Sequence, residues 1–355
     1  MSKMITVTGT ASCRVDLAGG TLDLWPLYLH LDGIRLVNMA INVQSTAIFK
    51  AEQSKKLFEL TVKSRDFNVE REYTSLESLH HSLTLPTSEH PTRWLARVAF
   101  DSLVRAKIKT GRYQLECSSQ APPGSGLGGS STLGVCVAHT IQSALKSPAL
   151  RQWDLQQRVR DLEAAEIEHP AGDQDYVPAI FGGLLVIGLG PHQRSVVHID
   201  EKVAQTVSNR IALLYTGQPH HSGLNNWTVF RAFHEGDNKT QRCLFEIKKV
   251  AELLAADLQK KDTSRLSQLI ALEWELRQEL SPAMNAPVLG DAWSWAQSLG
   301  AEACKACGAG GGGSLLVVFK NQKARDAALA IKPKASWAWL SSDVSFSKVS
   351  AKRSG

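Results

Sequence analysis

The stretch Ala121-Pro122-Pro123-Gly124-Ser125-Gly126-Leu127-Gly128-Gly129-Ser130-Ser131-Thr132 constrains this chain more than any other. Four glycines in six positions free the backbone from the limits a Cβ imposes, so successive N–H groups can turn toward one anion. Three hydroxyls follow, leading into an apolar segment, 133–141, long enough for a buried helix whose N-terminal dipole favours the same anion. A flexible linker is the competing reading. It fails because the stretch lies between a strand-like Tyr113-Gln114-Leu115-Glu116-Cys117 and that apolar helix.

The chain has 355 residues, 43% hydrophobic and 21% charged, enough for two packed domains. A formal charge of +6 suits anionic small molecules, yet no long Lys/Arg block points to nucleic acid. No run of eighteen apolar residues suggests a membrane span, and residues 1–7 lack a secretory core. Six scattered cysteines fit a reducing compartment, so a cytoplasmic location is expected. Cys304 and Cys307 form a lone C-x-x-C without a second pair and are read as core or turn residues, not zinc ligands.

Taken in order, 5–17 reads as a strand that breaks at Ala18-Gly19-Gly20-Thr21-Leu22-Asp23, with a helix-like 24–31 behind it. Several antiparallel strands are predicted between 34 and 62. Residues 92–108 carry Trp94, Leu95, Val98, Ala99, Leu103 and Val104 at helical spacing, a core-packing stripe. A second helix is expected over 150–168, with Leu155, Val159, Leu162 and Ala165 inward. Glu163, Glu166 and Glu168 crowd its last turn, where carboxylates oppose the helix dipole; either a cation compensates them or they form a solvated acidic face. The segment 191–201 is a plausible domain boundary. Helices are expected over 241–258, 264–280 and 286–299 and a strand over 314–319, with a last strand over 343–350 and a frayed tail from 351. The polar loop 216–226 holds His220, His221 and Ser222 and suits substrate contact better than metal, since no third ligand is near.

Three separated motifs agree with one family. The stretch 122–131 resembles the phosphate-binding motif of the GHMP kinases, the superfamily of galactokinase, homoserine kinase, mevalonate kinase and phosphomevalonate kinase. Arg14-Val15-Asp16-Leu17-Ala18-Gly19-Gly20-Thr21-Leu22-Asp23 looks like its first motif, and Cys307-Gly308-Ala309-Gly310-Gly311-Gly312-Gly313 like its third. Within the superfamily, 18–23 and Gly172-Asp173-Gln174-Asp175-Tyr176 with Phe181-Gly182-Gly183 are most similar to the branch of heptose 7-phosphate kinases and fucose kinases.

The resemblance implies a two-domain α+β fold: an N-terminal domain like ribosomal protein S5 domain 2 over 1–195, and a ferredoxin-like C-terminal domain over 196–355. It implies transfer of the γ-phosphoryl group of ATP, with Mg2+, to a hydroxyl of a small-molecule sugar or sugar phosphate, commonly the anomeric one. A mevalonate-type or other non-sugar kinase, and a non-catalytic ATP and sugar sensor, are the alternatives. Asp175 takes the catalytic position with Arg14 in support. Pro123, Gly124, Ser125, Gly126, Leu127, Gly128, Gly129, Ser130 and Ser131 hold ATP. Ser130 and Glu166 hold magnesium, with Glu163 as the substitute because the interval from Glu166 to Asp175 is short for the family. Asp23, Gly19, Gly20, His220, Ser222 and Gly311 face the acceptor. Chemically, no G-x-x-x-x-G-K-[ST] lysine is present, so amides, a helix N-terminus, magnesium and Arg14 must balance the triphosphate. Tyr176, Asp173 and Gly129 depart from the branch's usual glutamine, lysine and serine. His220 stands where relatives often carry arginine, and a neutral histidine grips phosphate poorly, which favours an unphosphorylated acceptor.

Overall fold

The computed structural model describes residues 4–54, 57–85, 90–219, 223–308 and 310–354, with the side chains of 223–226, 282 and 283 set aside. The chain opens with β1 (Ile5–Ala18), β2 (Ile34–Glu52), β3 (Phe58–Ser64) and β4 (Val69–Tyr73), then α1 (Leu76–Thr84), α2 (Arg93–Arg105) and β5 (Gly111–Ser119). Next come α3 (Gly129–Leu145), α4 (Gln152–Ile167), α5 (Val177–Phe181), β6 (Leu184–Leu189), β7 (Arg194–His198), α6 (Glu201–Ser208) and β8 (Ile211–Tyr215). The remainder is α7 (Gly223–His234), α8 (Asn238–Gln259), α9 (Leu266–Leu280), α10 (Pro287–Ser298), β9 (Ala301–Ala306), β10 (Ser314–Phe319), α11 (Gln322–Leu329), β11 (Ala338–Leu340) and β12 (Ser350–Ser354).

Two sheets result, as an α+β fold requires. The larger runs β12-β1-β2-β5-β3-β4, with β6 and β7 continuing from β2; the smaller runs β11-β8-β10-β9. Pairing is antiparallel throughout except between β3 and β5. What reads in sequence as several strands after residue 34 is one long strand, β2, followed by β3. Its second half alternates buried and half-buried side chains, as a one-sided strand does, whereas residues 36–41 are buried on both faces. The first half is covered because β6 pairs it and helix α8 lies on it.

Helix α3 packs against β1 and β2 and stands at the centre of the larger layer. Gly9 permits that approach: a Cβ there would lie 1.9 Å from Thr140 Oγ1. Helix α9 packs on α8 and β9 and joins the second layer to the first. The smaller sheet and α10 enclose their own apolar cluster, which includes Leu214, Trp274, Leu289, Leu315 and Phe319.

The chain's end departs from expectation. Residues 350–354 are not frayed; β12 pairs with β1 from Thr10↔Ser350 to Thr6↔Ser354. Before it, 343–349 runs beside β2 and α5 through Asn42 N–H to Asp343 O and Val349 N–H to Ala179 O, with one isolated bridge, Ile41↔Val344. Backbone bonds at an edge need no apolar pattern, so a polar tail conceals the strand. This return, and the place of β7 (Arg194–His198) in the larger sheet, also mean that a cut at 195/196 does not separate the two sheets.

Candidate active site

The glycine stretch links β5 to α3. Gly124, Gly126 and Gly128 all take positive φ, at 67°, 77° and 69°. Gly128 is the N-cap of α3, with no side-chain cap and no acidic residue in the first turn. The opening amides of α3 therefore have no intrahelical acceptor and point, with the positive end of the dipole, into a cavity of about 630 Å³. Pro123, Gly124, Ser125, Gly126, Gly128, Gly129, Ser130 and Ser131 line that cavity. Leu127 does not; its side chain is buried in the core.

The other two motifs are fastened to this loop. Arg14, on β1, donates from its backbone N to Leu127 O at 3.1 Å and from Nη1 to Gly126 O at 2.6 Å. Ser314 N–H, just after the last glycine run, donates to Ser125 O at 2.9 Å. Three segments far apart in sequence thus form one hydrogen-bonded unit.

Arg14 also reaches Asp175. Its Nε and Nη2 both donate to Oδ1, at 2.9 and 2.5 Å, and among the described residues Oδ2 has no donor. Arg14 is buried while the Asp175 side chain is 32% exposed and borders the cavity. Burial alone would lower the guanidinium's pKa, but Asp175 outweighs it and the net direction is upward.

The two candidate metal carboxylates part company. Glu166 is ion-paired through both oxygens, to Arg93 Nη1 at 2.9 Å and Arg97 Nε at 2.5 Å. Glu163 instead accepts from Ser131 Oγ and Tyr176 OH, both at 2.7 Å on Oε2. Burial pushes its carboxyl up, with the Ser130, Ser131 and Tyr176 hydroxyls opposing. Glu163 therefore faces the hydroxyls of α3 and Tyr176, whereas Glu166 faces the arginines of α2. On α4, Leu155 and Val159 point inward as expected; Ala165 does not, and Glu163 occupies the buried face.

Asp23 also lies differently from its expected place. It is buried, and its oxygens accept from Gln174 N at 2.9 Å and Gln174 Nε2 at 3.1 Å. It holds the 172–175 turn that presents Asp175 and is not on the cavity wall. Gly19 and Gly20 stand at the end of β1 and are likewise off that wall; Gly311 is exposed on its loop, and His220 and Ser222 lie outside the described residues. Cys304 and Cys307 are buried free thiols, pushed up to about 12 and about 11 by burial, as suits packing residues.

Reading α2 as a packing stripe missed part of the site. Leu95, Val98, Ala99 and Leu103 are core, Val104 is 49% exposed, and Trp94 donates Nε1 to Ser130 O at 3.1 Å while lining the cavity. The signal was the pair Arg93 and Arg97, one turn apart on a helix otherwise read as apolar.

A glycine loop at the start of a buried helix, bordered by an Arg–Asp pair, has the form of an anion-binding site built on backbone amides. The GHMP kinases N terminal domain matches residues 95–183 and the GHMP kinases C terminal domain residues 254–334, so the chain carries both domains of a GHMP kinase. It is 26% identical over 315 residues to D-glycero-alpha-D-manno-heptose 7-phosphate kinase of Campylobacter jejuni, covering 87% of this chain and 88% of that one. In fold it is similar to a D-glycero-D-manno-heptose 1-phosphate kinase from Bacteroides thetaiotaomicron, with TM-score 0.75, 19% identity and 98% of each chain covered. It is also similar to Lactococcus lactis galactokinase complexed with galactose, with TM-score 0.74, 13% identity, and 97% and 95% covered.

Proposed function

We propose that this enzyme transfers the γ-phosphoryl group of ATP to a hydroxyl of a sugar or sugar phosphate, with magnesium. The observation that carries the reading is the Asp175 carboxylate: Arg14 holds Oδ1, and Oδ2, which has no donor among the described residues, belongs to a side chain that borders the same cavity as the α3 N-terminus. An acceptor hydroxyl meeting Oδ2 would be oriented toward a phosphate held on the α3 amides, and its proton has an oxygen to go to. Phe67, His90, Pro91 and Trp94 give the cavity an aromatic and apolar lining that suits the adenine. The similarity to a heptose 7-phosphate kinase over most of both chains supports the sugar class, and the resemblance of the motifs supports the anomeric hydroxyl.

The residues fit magnesium. Among the described residues no cluster of three or more His, Cys, Asp or Glu side chains could hold a metal alone. One carboxylate with a serine hydroxyl, completed by phosphate oxygens and water, is the hard-oxygen set this ion prefers. Glu163 with Ser130 would hold it, since both Glu166 oxygens are occupied by arginines. Bound there, the ion would neutralise charge on the phosphate oxygens.

The test is ADP release over free heptoses, galactose, fucose, their phosphates, mevalonate and homoserine. Turnover with a sugar or sugar phosphate is expected. Turnover confined to mevalonate or homoserine would overturn the acceptor class, and ATP binding without turnover on any acceptor would favour the sensor.

A further inference from the structure

Four charged side chains that the reaction does not use are buried together between the two layers. Asp16 comes from β1, Glu273 and Arg277 from α9, and Lys305 from β9; none is more than 3% exposed. Lys305 Nζ donates to Asp16 Oδ2 at 2.8 Å and to Glu273 Oε2, and Arg277 Nη1 lies 3.8 Å from the same Asp16 oxygen. Two acids face two bases, so the group is balanced in formal charge. A wholly buried lysine is rare unless something requires it.

What distinguishes the cluster is where its remaining bonds go. Glu273 Oε1 accepts from Gly19 N at 3.0 Å, at the end of β1. Arg277 donates from Nη2 to Gly308 O at 2.6 Å and from Nη1 to Ala306 O at 3.4 Å, at the start of the late glycine run. At Gly20, a Cβ would meet Asp16 Oδ2 at 2.4 Å, so this glycine is fixed by the cluster itself. The cluster therefore ties one glycine segment of each layer to a common centre, and Gly308 in turn borders the cavity that Arg14 and Asp175 line. The 121–131 loop receives none of these four side chains' bonds; it is held by β5, α3, Arg14 and the single Ser314 N–H bond to Ser125 O.

We propose that Asp16, Glu273, Arg277 and Lys305 are positioning residues that set the spacing between the Gly19-Gly20 turn and Gly308 at the head of the late glycine run, and thereby acceptor binding more than nucleotide binding. This rests on the reading that these two loops face the acceptor. Replacing a balanced buried ion cluster by apolar side chains is often neutral for stability, so what this cluster contributes is geometry more than energy.

The experiment compares parent with Lys305→Met and with the charge-balanced double variant Glu273→Met/Lys305→Met, which protects against failure of the single variant to fold. Amide exchange over 17–22, 306–313 and 121–131 is measured together with affinity for a fluorescent ATP analogue and KM for the acceptor. In the double variant, exchange accelerates in 17–22 and 306–313 but not in 121–131, nucleotide affinity holds within about twofold, and acceptor KM rises about tenfold or more. Lys305→Arg restores part of the KM loss. Unchanged exchange in the two loops, or equal loss of nucleotide and acceptor binding, overturns the proposal. Faster exchange in both loops with unchanged acceptor KM overturns the acceptor assignment of the loops while leaving their fastening in place.

Discussion

Substituting Glu163 and Glu166 separately by glutamine should give opposite results, although the two stand one turn apart on α4. In Glu163→Gln the amide oxygen can still accept from Ser131 and Tyr176, so the geometry survives and only the charge is lost. If that charge helps hold magnesium against the triphosphate, about 3 kcal/mol of transition-state stabilisation goes with it, a fall of about two orders of magnitude in turnover. Burial already disfavours the ionised form of Glu163, so Tm should hold or rise. In Glu166→Gln the outcome reverses. Two charge-assisted bonds to Arg93 and Arg97 are weakened at a site only 15% exposed, while Arg93 keeps its bonds to Leu83 O and Leu85 O. After discounting for partial exposure, a cost of about 2 kcal/mol follows, or about 3 °C in Tm for a chain of this length. Turnover should stay within about threefold of the parent, since no reacting group is touched.

The assay is coupled ADP release across a magnesium titration, with thermal melts of both variants. Glu163→Gln should need more magnesium for half-maximal rate as well as turning over slowly. Loss of turnover and of magnesium response in Glu166→Gln, with Glu163→Gln near normal, would refute the assignment and return the metal to the carboxylate the sequence first favoured.

Three other perturbations read the same site. Asp175→Asn should lower turnover by about two orders of magnitude or more with ATP affinity nearly intact, and near-normal turnover would remove Asp175 from the chemistry. Tyr176→Phe leaves Glu163 with one hydroxyl donor fewer and should raise the magnesium requirement about tenfold with little change in saturated rate; an unchanged titration would show that the Tyr176–Glu163 bond does not orient a ligand. For Asp23, burial, then the nearby Asp175 and Asp173, push the pKa up to about 7 from 3.8. The folded state thus keeps this proton longer than the unfolded chain. Its contribution to stability is full below about pH 4 and lost as pH rises to about 7, so Asp23→Asn should flatten the fall between pH 5 and 8 by about 2 to 3 kcal/mol. Urea titrations at the two pH values check this, and a parallel fall in both proteins would contradict it.

How far the sequence could be read depends on how far each signal travels along the chain. The glycine cradle was legible because its conformation is local: positive φ at Gly124, Gly126 and Gly128 is a property of those residues and their neighbours. Arg14 and Asp175 were legible through motifs. The choice between Glu163 and Glu166 was not, because it turns on Arg93 and Arg97 from another helix about seventy residues earlier, which neutralise one carboxylate and leave the other among hydroxyls. Asp23 shows the same dependence, since its acidic side chain in a glycine turn suits a polyol until Gln174 is found occupying both oxygens. Lys305 gives no warning at all: within Ala303-Cys304-Lys305-Ala306 it breaks an apolar strand and would be placed at an exposed edge by pattern alone. Only Asp16 and Glu273, brought in from 289 and 32 residues away, make its burial tolerable. A charge whose partners are distant in sequence is therefore both the least readable feature of this chain and the one that reports most directly on how its two layers are joined.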